Sequence, residues 1–337
     1  MKKERNKKKE LNGKKSKKHF RESKDHLKNI IFTIAYYNAL DYRPTTFYVW
    51  KNLITINKSK QKVLFLDIIK GLKLLEEKKE IFLINGFWSV AQMDKNDKQR
   101  SQVYKTQIQK NKISTAKIKQ AKKWARALSW LPYLRGLMLT GTLAMKRGGV
   151  SSDWDVLVVL KQDRIWLGRF ILSAWLEFIH KRRHGKYIKD RFCLNQFMVD
   201  GKLEFQERNE FAANEILVSR QLLGTNNLKK QFIQKNKKWV KEFKPNFKIR
   251  NIKTNKIINT VQLRLQNIVE QTLEGIGLAT FLNILFKKVM IKKINNNPKT
   301  YIEEADIRYS DFFLVFLPHP QRGVIRMEAY NLLTKND

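Results

Sequence analysis

Apolar and polar positions alternate along this chain in blocks that predict a mixed α and β protein. From Leu27 the spacing of Ile30, Ile31, Ile34, Ala35 and Leu40 is helical. Asp41-Tyr42-Arg43-Pro44 reads as a turn, with Arg43 pushed out of the helical region by the proline. Thr45 or Thr46 can cap a second helix through Leu53. A third is expected from about Lys60 to Glu77, with Val63, Leu64, Ile68, Leu72 and Leu75 inward. Two short apolar runs then meet at Asn85-Gly86, a strong hairpin signal. Three helices and a hairpin make a winged-helix-like arrangement over 28–93. Its third helix, with Lys62, Lys70 and Lys73, is the element able to enter a DNA major groove, although Glu76, Glu77 and Glu80 weigh against that.

Residues 94–131 read as a charged helical connector ended by Pro132. The pattern changes over 132–208. Leu137 to Leu139 is a short strand, broken by Gly141 and Thr142. Val156 to Leu160 is a second strand, entered through Asp153 and Asp155. Asp163 to His184 is expected to be helical, and 191–199 another strand. Lys202 to Phe205 reads as a further strand, paired through the Asp200-Gly201 turn. The remainder, 209–337, reads as helical: a helix from Asn209 or Ala213 through Leu223, one from Leu228 to Phe243, one or two over 256–292, and a Pro-His-Pro break at 318–320 before a closing helix.

The two aspartates carry the candidate chemistry. Residues i and i+2 of a strand share a face, so Asp153 and Asp155 converge on one side. Carboxylates held that close repel unless a cation stands between them. Hard oxygen ligands suit Mg²⁺. Gly141 allows the backbone to approach a ligand closely, Thr142 adds a hydroxyl, and a helix beginning at Leu143 would aim N–H groups at a phosphate.

Composition sharpens this picture. The chain holds 69 Lys and Arg against 30 Asp and Glu, a formal charge of +39. Such an excess points to a polyanionic partner such as RNA or DNA, or to a lysine-rich background composition. Residues 1–27 are a lysine-rich tail expected to be disordered. A single cysteine, Cys193, excludes an internal disulfide and a cysteine zinc site. No apolar run reaches the roughly 20 residues of a transmembrane helix, and the N-terminus lacks an apolar signal core. The expectation is a cytoplasmic protein with no membrane partner.

The Gly-hydroxyl turn, the gap of about ten residues and the Ser-Asp-X-Asp strand together resemble the nucleotidyltransferase signature of the DNA polymerase beta superfamily. The residues are Gly141, Thr142, Ser152, Asp153 and Asp155, with Thr142 in place of the more usual serine. AYYNALDYRPT, GTLAM, SDWD, DRFCLNQF and the terminal HPQ block also resemble uncharacterised bacterial proteins with a nucleotidyltransferase domain. The resemblance implies an α+β nucleotidyltransferase fold behind the winged-helix-like domain. It implies transfer of a nucleoside monophosphate from NTP to a hydroxyl, with Mg²⁺ held by Asp153 and Asp155. Gly141, Thr142 and Ser152 would cradle phosphate. By position, Arg164 and Arg169 sit near the end of the strand, where ligands bind in such sheets, and either could hold a triphosphate. The superfamily normally supplies a third carboxylate from a neighbouring strand. Asn195 stands in the strand expected to align with it, Asp200 is on a turn, and Glu204 is the nearest strand-borne acid. The alternative is a non-catalytic nucleic-acid-binding protein with a degenerate transferase fold. A third reading is a transferase that modifies a partner protein. The motif names a reaction class and leaves the acceptor open.

Overall fold

The computed structural model describes residues 25–58, 60–91, 97–225, 227–248, 260–317 and 322–334. It divides into two compact units. Most of the expected basic tail and the Pro-His-Pro break lie outside the described residues.

The first unit takes in residues 1–106, 240–247 and 323–337. It opens with a helix over 25–39, α1. Next comes α2 (Thr46–Lys51), where the Thr45 hydroxyl accepts from the Tyr48 amide. Helix α3 (Phe65–Glu77) buries Ile68, Leu72 and Leu75. Its start is later than the apolar spacing suggests. Val63 is held extended instead, its amide donating to Asn246 Oδ1 and its carbonyl accepting from Trp50 Nε1. Strands β1 (Ile81–Ile84) and β2 (Phe87–Val90) form the expected hairpin. Both turn residues, Asn85 and Gly86, have positive φ, as a tight two-residue turn requires. Lys244 is fully buried here, and its ammonium donates to the Tyr37 hydroxyl and the Asn52 carbonyl.

The second unit, residues 107–239 and 248–322, is built on one mixed sheet of six strands. They are β3 (Leu134–Leu139), β4 (Trp154–Leu160), β5 (Phe192–Val199), β6 (Arg220–Gly224), β7 (Asp306–Tyr309) and β8 (Phe313–Leu317). Their order is β6-β3-β4-β5-β8-β7. Only β4 and β5 run parallel, and α6 (Ile165–Phe178) supplies the crossover between them. Trp154, Val156, Val158 and Leu160 point to one face of β4 and enter the core. There they meet α6, Ala121 and Ala125 of α4 (Asp97–Ala127), Leu128 just after it, and α10 (Leu278–Asn295), which follows α9 (Thr260–Gly275). Asp155, Leu157 and Val159 necessarily take the opposite face.

Two expected elements change identity. Residues 202–205 are not a strand: Lys202 makes one isolated bridge to Val199, because β8 already occupies that edge of β5. The helix that begins after Asn209 stops early, as α7 (Glu210–Val218). Arg220–Gly224 then pairs with the outer edge of β3, so the C-terminal third carries three strands among its helices. These include α8 (Leu228–Phe243), and α11 (Arg322–Thr334) closes the chain in the first unit. Among the described residues no helix is long and apolar enough to cross a membrane.

Candidate metal and phosphate site

Asp155 is the second residue of β4 and Asp153 immediately precedes the strand. The antiparallel pairing of β3 with β4 brings the end of β3 to the same place, and the Thr140 amide donates to the Asp155 carbonyl. Gly141 follows with φ +65°, in a one-turn helix, α5 (Gly141–Ala144). A Cβ on Gly141 would lie 2.5 Å from Asp155 Oδ2. Glycine is required twice over, for the left-handed backbone and for this close approach.

Parallel pairing sets Cys193 of β5 directly opposite Asp155. Asp153, Asp155 and Cys193 each offer a ligand atom, all within 4.8 Å of one another. The pairing then slips: Val156 faces Leu194, whereas Leu157 faces Gln196. Asn195 is the extra residue of this bulge, and bulges re-aim side chains. Its amide nitrogen donates to Asp155 Oδ1 at 3.2 Å, while its oxygen lies 3.1 Å from the Cys193 sulfur.

Two further charged groups complete the surroundings. Arg183 reaches Asp153 Oδ2 at 2.9 Å and the Cys193 sulfur at 3.0 Å. Glu215, half-buried on α7, accepts the Gly141 amide at 3.1 Å. Burial first, and then the charges of Asp153 and Glu215, push the Asp155 carboxyl up to about 7, although Arg183 opposes the shift. Burial and the Asp155 charge push the Cys193 thiol up to about 12. Burial also raises the Glu215 carboxyl, against the pull of the Gly141 N–H. The donor chemistry follows. A thiol held protonated is a poor ligand for a hard cation. Two neighbouring carboxylates suit such an ion once the exposed Arg183 side chain moves off Asp153. The group could therefore hold a metal ion.

The structure brings together Gly141, Asp153 and Asp155 and redistributes the other expected site residues. Thr142 is exposed next to them. The Ser152 hydroxyl accepts from the Gly149 amide at 2.9 Å, and so braces its own loop. The Gly141 N–H, expected for phosphate, is spent on Glu215. Arg164 lies past the far end of β4. Asp155 and Leu160 are five residues apart, or about 16 Å along the strand at about 3.3 Å per residue. Arg164 instead grips Glu274 of α9 with two contacts of 3.1 and 2.5 Å. Arg169 is stacked over Phe316, 4.0 Å from the ring centroid. Glu204 sits on a non-strand segment, 3.7 Å from Lys235 Nζ. Cys193, Arg183 and Glu215 were not singled out as site residues by the pattern of the chain. Cys193 and Arg183 depend on strand register and loop path, and Glu215 lies 60 residues from Asp155. The basic run around Arg183 was the one local signal.

No protein-family model, no curated protein and no solved structure matches this chain.

Proposed function

We propose that the protein is a Mg²⁺-dependent nucleotidyltransferase, moving a nucleoside monophosphate from NTP to a hydroxyl acceptor with release of pyrophosphate. In this reading the six-stranded unit is the nucleotidyltransferase fold of the polymerase beta superfamily, and the three helices and hairpin ahead of it are a winged-helix-like domain. The observation that carries the reading is the fit of Gly141 against Asp155, with Asp153 beside it. The side-chain-free turn gives the Asp155 carboxylate room beside Asp153, which supports a cation site there. The bound ion would neutralise phosphate charge and lower the pKa of the attacking hydroxyl. Asp153 and Asp155 would hold it, and the exposed Thr142 hydroxyl would meet the phosphates. Arg183, displaced from Asp153, would be free to pair with the triphosphate.

A second reading, a transferase fold without turnover, is favoured by Asn195. An amide donates to Asp155 where the superfamily normally has a third carboxylate, and an amide cannot act as a base. Glu215 is the acid that reaches this cluster, but its contact is to the Gly141 amide.

The test is transfer of labelled nucleotide from NTP by the full-length protein with Mg²⁺ or Mn²⁺. Asp153→Asn and Asp155→Asn are each expected to abolish it. Turnover unchanged in either variant would overturn the assignment. Nucleotide binding without any turnover in wild type would select the second reading.

A further inference from the structure

Between α6 and β5 the chain throws out an arm over residues 180–191. It contains Lys181, Arg182, Arg183, Lys186, Lys189 and Arg191 and one acid, Asp190. That acid is already engaged by Lys117 Nζ at 2.8 Å, and Lys117 also donates to the Ser152 carbonyl. Both feet of the arm are tied to the sheet. The Phe192 amide donates to the Lys181 carbonyl and the Arg183 amide to the Phe192 carbonyl. The Trp154 amide, between the two aspartates, donates to the Arg191 carbonyl at 2.8 Å. The arm is thus registered against Asp153 and Asp155 by backbone bonds, and Arg183 spans the remaining distance to Asp153.

Its tip is a turn through Gly185, closed by a bridge between His184 and Tyr187. Residues 183–189 are exposed. Tyr187 is 47% exposed, with the Arg191 guanidinium 4.8 Å and Lys186 Nζ 5.7 Å from its ring centroid. Arg182 and His184 share Glu177 at the foot of the arm, which leaves Lys186 and Lys189 as the outward cations. An exposed aromatic ring flanked by cations is the combination that grips single strands: bases stack on the ring and phosphates pair with the cations. A duplex, with its bases stacked inside, would use only the cations. Ile188 on the tip and Phe178 at the end of α6 are also exposed, but the tip is a turn and not the amphipathic helix that lies in a lipid interface.

We infer that the 180–191 arm binds a single-stranded nucleic acid and delivers its end to the Asp153–Asp155 site as the hydroxyl acceptor. The delivery rests on the transferase reading above; the binding does not.

The experiment uses the full-length protein and short fluorescein-labelled RNA and DNA oligonucleotides of one sequence, titrated in parallel by anisotropy at several salt concentrations. A matching duplex and vesicles of anionic phosphatidylglycerol form two further arms. Wild type is expected to bind the single strand, with affinity falling as salt rises. The triple variant Lys186→Ala, Tyr187→Ala, Lys189→Ala is expected to weaken that binding about tenfold, with a shallower salt slope and an unchanged melting temperature. The tighter of the RNA and DNA curves identifies the strand. Absent binding, equal binding by the triple variant, a preference for duplex, or a loss confined to vesicle binding would each overturn the inference. Asp153→Asn with Asp155→Asn is expected to keep oligonucleotide binding. If that pair also leaves nucleotide turnover intact, the transferase reading falls while the arm's binding stands.

Discussion

The side-chain amide of Asn195 donates to Oδ1 of Asp155 across 3.2 Å, from the extra residue of a bulge in the neighbouring parallel strand. The bulge turns a non-acidic side chain onto the Asp155 carboxylate. Asn195→Asp would set three carboxylates and a thiol around one point. Like charges at that distance repel without a cation. The variant is expected to melt lower than wild type in chelator and to bind Mg²⁺ or Mn²⁺ more tightly by calorimetric titration. Equal affinity would show that position 195 does not face the cation.

Gly141→Ala tests the close approach. The left-handed backbone alone costs a residue with a Cβ about 1–2 kcal/mol, and that atom would also lie 2.5 Å from Asp155 Oδ2. A lower urea midpoint together with lost cation binding is expected. Wild-type behaviour on both counts would mean that the turn does not touch the carboxylate.

The Asp155 carboxyl sets a pH dependence. Its folded value of about 7 stands above the ordinary 3.8, so the folded protein holds this proton more tightly than the unfolded chain. Stability from this group is present below the ordinary value and is lost as pH rises through about 7. Asp155→Asn removes the loss. In chelator, the melting temperature of the variant relative to wild type is expected to climb between about pH 4 and pH 7 and to level off above that, by several degrees if about 1 kcal/mol or more is involved. A difference that stays flat with pH would count against the shift.

Arg164 is expected to matter for stability alone. Its two contacts with Glu274 tie the start of α6 to α9, at the opposite end of β4 from the aspartates. Arg164→Ala should lower stability by about 1.5–3 kcal/mol, the scale of a hydrogen bond to a charged group, and leave nucleotide turnover at the wild-type rate. Lost turnover at unchanged stability would return this arginine to the site.

Local patterning was enough for much of this molecule. The two-residue spacing of Asp153 and Asp155 places them together on any strand. The Asn85-Gly86 turn, the Asn209 cap and the helical spacing of α3 and α8 are likewise written within a few residues of themselves. Strand partnership is not local. Which edge of β5 is taken, and by β8, decides that 202–205 has no place in the sheet. The open edge of β3 draws 220–224 out of a helix. Those pairings set Cys193 opposite Asp155, bulge Asn195 onto it and bring Glu215 to Gly141. Neighbouring residues determine the shape of a segment, but hydrogen-bonding partners far away in the chain determine what faces the carboxylates, and only tertiary structure selects them.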